Sequence, residues 1–515
     1  MEVRPFSNEP VVNFLNEANA AVMRAAIEKV RGELGREYDL VIGGSRSRTA
    51  DKIQSLNPAR PSEVIGVHQK AGREHVEPAM EAALDAFESW KQVPVRARAQ
   101  LVLRTADILR RRKPEFNAWM VLEVGKNWDE AEADTCEAID FCEFYARLAL
   151  RMDQAETAVQ LPGERDLLRY IPLGVGAVIS PWNFPLAIMC GMTVASIVCG
   201  NTVVLKPSSD SPTISAKFFE ALEEAGLPPG VVNFCPGSGA TFGNGLVEHP
   251  KTRFVAFTGS RDVGLDINLR AAQPRPGQVW IKRTILEMGG KDSIVVAADA
   301  NLDAAVEGVA ASAFGFQGQK CSACSRVIVD ASLYDKFLER LTARVAQIRI
   351  GDPAENAPAG PVVNEGALKS ISNYIAIGAQ EGRVVAGGKR TDGEGYFLEP
   401  TVIADVAPTA RLAQEEIFGP VLTVIRARDF SDALAIANNT EYGLTGAVYS
   451  TSPEQIDRAK REFHVGNLYI NRKCTGAVVG AHPFGGFNMS GTDSKAGGAD
   501  YLYLFTQAKS IAEKL

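Results

Sequence analysis

LLRYIPLGVGAVIS (residues 167–180) is the point at which the chain changes its pattern. Upstream, the apolar spacing reads as a helix from about Val11 to Glu37 and as a helical region from roughly Arg73 to Leu150. Downstream, short β-rich runs take over: GAVIS, TVVLK, VVNF, RFVAF, SIVVA, SRVIVD and VLTVIR. Amphipathic segments such as TISAKFFEALEEAG and SLYDKFLERLTARVAQI separate them. Strands alternating with helices specify an α/β protein with parallel sheets and crossover connections.

The chain has 515 residues, too many for one hydrophobic core, so two or three domains are expected. An apolar fraction of 46% with 23% charged residues is that of an ordinary globular protein. The net charge of −7 gives no footprint for nucleic acid or an anionic membrane. Lysines and arginines are scattered, and the run Arg110–Lys113 is expected on the solvent face of a helix. From Tyr170 to Leu205 no residue is charged, a length that would span a bilayer. Pro172, Pro181, Pro185, Asn183 and Asn201 interrupt it, so it reads instead as two buried strands with a loop and a short helix between them. The first twenty residues carry acids and lack the apolar segment of a signal peptide. Eight unevenly spaced cysteines do not form a disulfide framework, and a reducing, cytoplasmic setting is expected. Cys321-Ser-Ala-Cys324 matches C-x-x-C, but no second pair follows and the five histidines form no ligand pair, so no metal is expected and Cys324 is assigned to packing.

Cys321 lies in FGFQGQKCSACS (314–325), after the helix-like NLDAAVEGVAASAF. Glu287 lies in LEMGGKD at the end of a strand-like run. A thiol among glycines and an upstream carboxylate suit covalent catalysis, in which sulfur attacks a carbonyl and the carboxylate later activates water. Such a thiol should be labelled quickly by a thiol reagent at neutral pH. In SPWNFP (180–185), Asn183 sits between two prolines and can aim its amide at an oxyanion, with the Cys321 backbone N–H as second donor. TVVLKPSSDSP (202–212) puts Lys206 and Ser209 at a strand end, where open α/β sheets bind nucleotides. Gly259 and Gly264 frame a turn at the start of a helix, and with Ser260 they offer donors to a phosphate, although the spacing is neither G-x-G-x-x-G nor a Walker loop. EEIFGPV (415–421) brings a carboxylate and an aromatic to a turn, and PFGGFNMSG (483–491) adds a glycine-rich loop.

SPWNFP, the lysine–proline segment, FTGS, LEMGGKD, GQKC, EEIFGP and PFGG-x-x-x-SG stand in the order of the NAD(P)-dependent aldehyde dehydrogenase superfamily, which the chain resembles over essentially its whole length. EVGKNWDEAEADTCEAIDFCEFYAR, FGFQGQKCSA and EFHVGNLYINRKCTGAVVGAHPFGG resemble the branch that oxidises glutamate γ-semialdehyde, the open form of 1-pyrroline-5-carboxylate, in proline breakdown. The resemblance implies a Rossmann-type dinucleotide-binding domain (1–150 and 170–287), an α/β catalytic domain (288–488) and a small β oligomerisation arm (151–169 and 489–515). A homo-oligomer, dimer or larger, follows from that arm.

By the same resemblance, Cys321 is the nucleophile, Glu287 the general base and Asn183 an oxyanion donor. Trp182, Lys206, Ser209, Gly259, Ser260, Gly264, Glu416 and Phe418 bind NAD, with the ribose of adenosine at Lys206 and Ser209. The family often carries a glutamate where Ser209 stands; its absence removes a repulsion against a 2′-phosphate, so NADP is expected to be accepted too. The backbone at Gly476 and Ala477 and the Ser322 hydroxyl would hold a substrate carboxylate, Glu137 its ammonium, and Phe184 and Phe484 its aliphatic chain. The competing readings are an enzyme for another small semialdehyde such as succinic semialdehyde, a non-catalytic nucleotide-binding protein, and a cysteine hydrolase. The last would need His464 or His482 as its base and would leave Lys206, Glu416 and Phe418 without a role.

Overall fold

Two seven-stranded sheets organise the computed structural model, which describes residues 4–153 and 159–515. The first sheet runs in space from Arg283–Glu287 through Phe254–Thr258, Val175–Ile179, Thr202–Lys206 and Val232–Phe234. These five strands are parallel. The VGAVI and TVVLK strands are buried at every residue, as apolar runs must be when helices cover both faces of a sheet. Successive strands step outward from Val175–Ile179 on one side and then restart on its other side. That reversal opens a crevice at the carboxyl ends of the strands. Leu40–Ile42 and Ser45–Ser47 complete the sheet in antiparallel pairing.

The chain leaves the first sheet at Glu287 and enters the second at Asp292. Asp292–Val296 pairs in parallel with Cys324–Asp330 on one side and with Thr445–Tyr449 on the other. Asn467–Ile470, Val421–Ala427 and Thr401–Ala404 extend the sheet in parallel, and Arg383–Ala386 closes one edge antiparallel. The carboxyl ends of the first sheet therefore meet the amino ends of the second across the four residues Met288–Lys291. The two strands read in the uncharged stretch are observed, with the helix Ala187–Val198 between them. Among the described residues no helix is long and apolar enough to cross a membrane.

Several expected elements are redrawn. The first helix is Glu17–Arg31, shorter than Val11–Glu37, because the Asn16 side chain caps its start and Gly32 ends it. Arg36 and Glu37, expected at the end of that helix, and residues 38–69, for which the sequence offered no reading, form short strands, including a three-stranded sheet of Arg36–Tyr38, Lys52–Asn57 and Arg60–Gln69. The arm is narrower than 151–169 and 489–515. Its strands are Glu164–Pro172 and Thr506–Lys514, paired antiparallel over their whole lengths. Arg151 and Met152 instead end the long helix Trp128–Met152, and Tyr501, Leu502 and Phe505 are buried in the core of the first sheet. Residues 154–158 of the expected arm lie outside the described residues.

Of the Arg110–Lys113 run only Arg111 faces solvent. The N-terminal segment folds over Arg110 and Lys113, and Arg110 bonds Glu9 at 2.8 Å and Glu143 at 2.9 Å, while Lys113 Nζ lies 2.7 Å from Glu132. A second buried pair ties the long helix to the site. Lys126 Nζ is 2.9 Å from Asp134 Oδ2, with both side chains fully buried, and Asp134 Oδ1 accepts the Ala187 N–H at 2.7 Å. The same ammonium lies 4.1 Å from the ring centre of Phe184 and 4.7 Å from that of Phe316. Removing one partner strands the other charge in a dry interior. Asp134→Ala should therefore cost about 3–5 kcal/mol in urea unfolding, and pairing it with Lys126→Met should recover part of that loss.

Candidate active site

Three motifs converge where the two sheets meet. Glu287 ends its strand, paired in register with Thr258, and Gly259 donates its N–H to the Glu287 carbonyl at 3.1 Å. Cys321 lies just before Cys324–Asp330, on a loop with three successive left-handed residues: Phe316 (φ 50°), Gln317 (φ 55°) and Gly318 (φ 66°). Such a turn persists only where its surroundings fix it. Gln317 Nε2 donates to the Pro361 carbonyl at 2.8 Å, and Gln319 Oε1 accepts the Val363 N–H at 2.9 Å. A β-carbon at Gly318 would lie 2.3 Å from the Gly419 carbonyl, so the EEIFGP turn and the Cys321 loop touch through glycines. Asn183 is buried and its Nδ2 donates to the Gln319 carbonyl at 3.2 Å, which directs the amide at the loop carrying Cys321.

A cavity of about 670 Å³ opens at Cys321. Glu287 lines it, and so do Glu137, Phe184, Ser322, Gly476, Ala477 and Phe484; every residue expected at the substrate is therefore brought to one space with Cys321. Gly476 is left-handed (φ 77°), and Arg472 closes its turn by donating to the carbonyls of Thr475 at 3.2 Å and Gly476 at 3.1 Å. The Cys474 thiol donates to the Ser322 carbonyl at 3.4 Å, which joins this turn to the Cys321 loop. Sequence reasoning missed Glu130, Lys320 and Lys473 on the cavity wall, where Lys320 Nζ is 2.6 Å from Glu130. The signal was present: Glu130, Ala133, Glu137, Asp140 and Phe141 recur at three- and four-residue spacing along the long helix and line the cavity.

The residues expected at the dinucleotide stand along the crevice of the first sheet. Lys206 ends its strand, is buried and donates to the Pro207 carbonyl at 2.8 Å, and burial lowers its ammonium to about 8. Ser209 is exposed in the turn that follows. Ser260 is exposed at the start of the helix Arg261–Ala272 without bonding that helix through its side chain, which leaves first-turn N–H groups for an anion. Gly264 lies inside that helix and is buried. A β-carbon there would come within 2.4 Å of Met288 Sδ, so the glycine serves close packing. Glu416 accepts the Gly290 N–H at 3.0 Å, and Phe418 (φ 57°) stands edge-on to Trp182 with centroids 5.6 Å apart. A free helix start, a buried cation and a buried carboxylate suit a dinucleotide.

Electrostatics depart from one expectation. Burial, followed by the nearby carboxylates of Asp292, Glu416, Glu287 and Glu137, pushes the Cys321 thiol well above its ordinary range. Burial likewise raises Glu287 and Glu137 to about 8 and Glu416 to about 7. Fast labelling at neutral pH is thus not what this site supports, because the resting group is the thiol and the thiolate is the nucleophile. Alkylation of Cys321 by iodoacetamide should climb steadily from pH 7 to pH 10 without a plateau. A plateau below pH 8, followed by peptide mass spectrometry, would contradict this environment.

The aldehyde dehydrogenase family model matches residues 45–511. Two 1-pyrroline-5-carboxylate dehydrogenases, from Geobacillus thermodenitrificans and Geobacillus kaustophilus, are each 57% identical over 512 residues, covering 99% of both chains. A solved 1-pyrroline-5-carboxylate dehydrogenase from Thermus with bound NAD superposes with a TM-score of 0.98 at 53% identity, over the full length of both chains. The chain belongs to the aldehyde dehydrogenase family.

Proposed function

We propose that the protein oxidises L-glutamate γ-semialdehyde, in equilibrium with 1-pyrroline-5-carboxylate, to L-glutamate in proline breakdown, with NAD as acceptor. The carrying observation is the single cavity that holds Cys321 and Glu287 together with Gly476, Ala477, Ser322 and Glu137. The names of the relatives at 53–57% identity support this reading. A cytoplasmic location and a dimer or larger assembly belong to it, since the strand pair Glu164–Pro172 and Thr506–Lys514 would be marginal alone in water. The first sheet then serves as the dinucleotide domain and the second as the catalytic domain.

The Cys321 thiol gives up its proton to solvent water and adds as thiolate to the aldehyde carbon, and the Asn183 amide and the Cys321 N–H hold the oxygen of the tetrahedral adduct. Glu416 and Phe418 would hold the nicotinamide, which would accept the hydride. Loss of hydride leaves a thioester on Cys321. Glu287 then takes a proton from the water that attacks this thioester; carbon–sulfur cleavage frees glutamate and the thiolate. Glu137, raised to about 8 chiefly by burial and next by Asp134, ionises as it receives the substrate ammonium. The turn at Gly476 and Ala477 offers backbone N–H groups to the α-carboxylate.

Cys321→Ala should abolish oxidation and spare dinucleotide binding, and Glu287→Gln should release about one reduced dinucleotide per site and then stall. Pentanal, which lacks the carboxylate and ammonium, should fall about tenfold to a hundredfold in kcat/KM, because the donors at Gly476 and Ala477 are left unpaired. Equal values for both aldehydes sink the substrate assignment, and a preference for succinic semialdehyde replaces it.

Ser209 carries no charge to oppose a 2′-phosphate, so NADP should also be reduced. Ser209→Glu should shift the preference toward NAD. An unchanged ratio of the two kcat/KM values would show that this turn does not face the ribose.

A further inference from the structure

The loop that follows PFGGFNMSG is bonded to the strand of Glu287 on both sides of the carboxylate. Thr492 donates its N–H to the Leu286 carbonyl at 3.0 Å, and Leu286 donates its own to Thr492 Oγ1 at 3.0 Å. Met288 donates to the Ser490 carbonyl at 2.8 Å. Farther along, Phe484 and Ala496 exchange two backbone bonds of 2.8 Å each, so the segment 490–496 is fixed between the strand end and the cavity wall. Ser494, 3% exposed, donates its hydroxyl to Glu287 Oε1, while Glu287 Oε2 is buried without a side-chain partner and the Gly486 N–H also faces the carboxylate. Gly485 makes room for this contact. A β-carbon there would lie 1.7 Å from the Ser494 carbonyl and 2.9 Å from Glu287 Oε1.

We propose that Ser494 is the positioning residue of the general base: its hydroxyl holds Glu287 Oε1 against the 490–496 segment and leaves Oε2 to take the proton of the hydrolytic water. The inference rests on the proposed function. As the water oxygen bonds to the thioester carbon, its proton passes to Oε2, and the carbon–sulfur bond breaks with the electron pair leaving on Cys321. The Ser494 donor favours the anion, as does Lys495, whose ammonium is held by the carbonyls of Gly466 at 2.8 Å and Gly485. Asp493 opposes it, and Cys321 and Tyr501 also face the carboxylate. Burial still dominates and sets Glu287 at about 8. Losing the Ser494 donor raises Glu287 further, so less of the anion exists at neutral pH.

The test is rapid-mixing kinetics of the full-length protein with NAD and glutamate γ-semialdehyde from pH 6 to 10. Ser494→Ala should keep the burst of reduced dinucleotide in rate and amplitude, while its steady rate at pH 7 drops about tenfold and the acid limb moves up by about one pH unit. The burst amplitude counts folded sites. Ser494→Cys, close in size and a weaker donor, should move the limb the same way by less. An unmoved limb in both variants, or an equal fall of burst and steady rates, overturns the assignment, since a purely structural role predicts one or the other. Full steady turnover by Glu287→Gln instead overturns the proposed function beneath it, whereas a stalled Glu287→Gln beside an unmoved Ser494→Ala removes Ser494 alone.

Discussion

A β-carbon at Gly290 would lie 2.7 Å from the carbonyl oxygen of Cys321, and one at Gly289 would lie 2.0 Å from Glu416 Oε2. This backbone contact is the constraint on which the site depends. The chain passes from the last strand of one sheet to the first strand of the next in four residues, and bare backbone at Gly290 lets the Cys321 loop close over that crossing. Glu287 precedes the crossing and Cys321 rests on it. Their common space is thus a consequence of how the two sheets abut, with carboxyl ends facing amino ends.

Closing the site in this way has an electrostatic consequence. Glu287, Glu137, Glu416 and Asp292 surround one thiol, and each is driven toward its neutral form by burial. A carboxylate near 8 is a stronger base than an exposed one, which suits removal of a proton from water, and only a fraction of it is ionised at neutral pH. The buried cations offset part of this cost elsewhere. Lys126 holds Asp134 and the rings of Phe184 and Phe316, and Lys320 holds Glu130 at the cavity wall. The loop after PFGG contributes a neutral donor, Ser494, where another charge would have had to be desolvated.

Much was legible in the sequence because it is carried by local pattern. Runs such as VGAVI and TVVLK, apolar throughout and bounded by glycine and proline, can only be buried strands of a covered parallel sheet. The order of short motifs identified the family and pointed to Cys321, Glu287, Asn183 and the residues of the cavity. Tertiary structure decided the rest. The short strands between residues 36 and 69 pair mostly with one another, too short for a run of alternating residues to show, and Leu40–Ile42 also reaches Val232–Phe234 far along the chain. Arg110 and Lys113 look like a solvated face until the N-terminal segment folds over them. Ser494 and Glu287 are separated by more than two hundred residues, so no local spacing links them. The sequence determined which side chains could carry the chemistry. Their protonation, their partners and their common cavity were settled by burial and by the abutment of two sheets, which are properties of the folded whole.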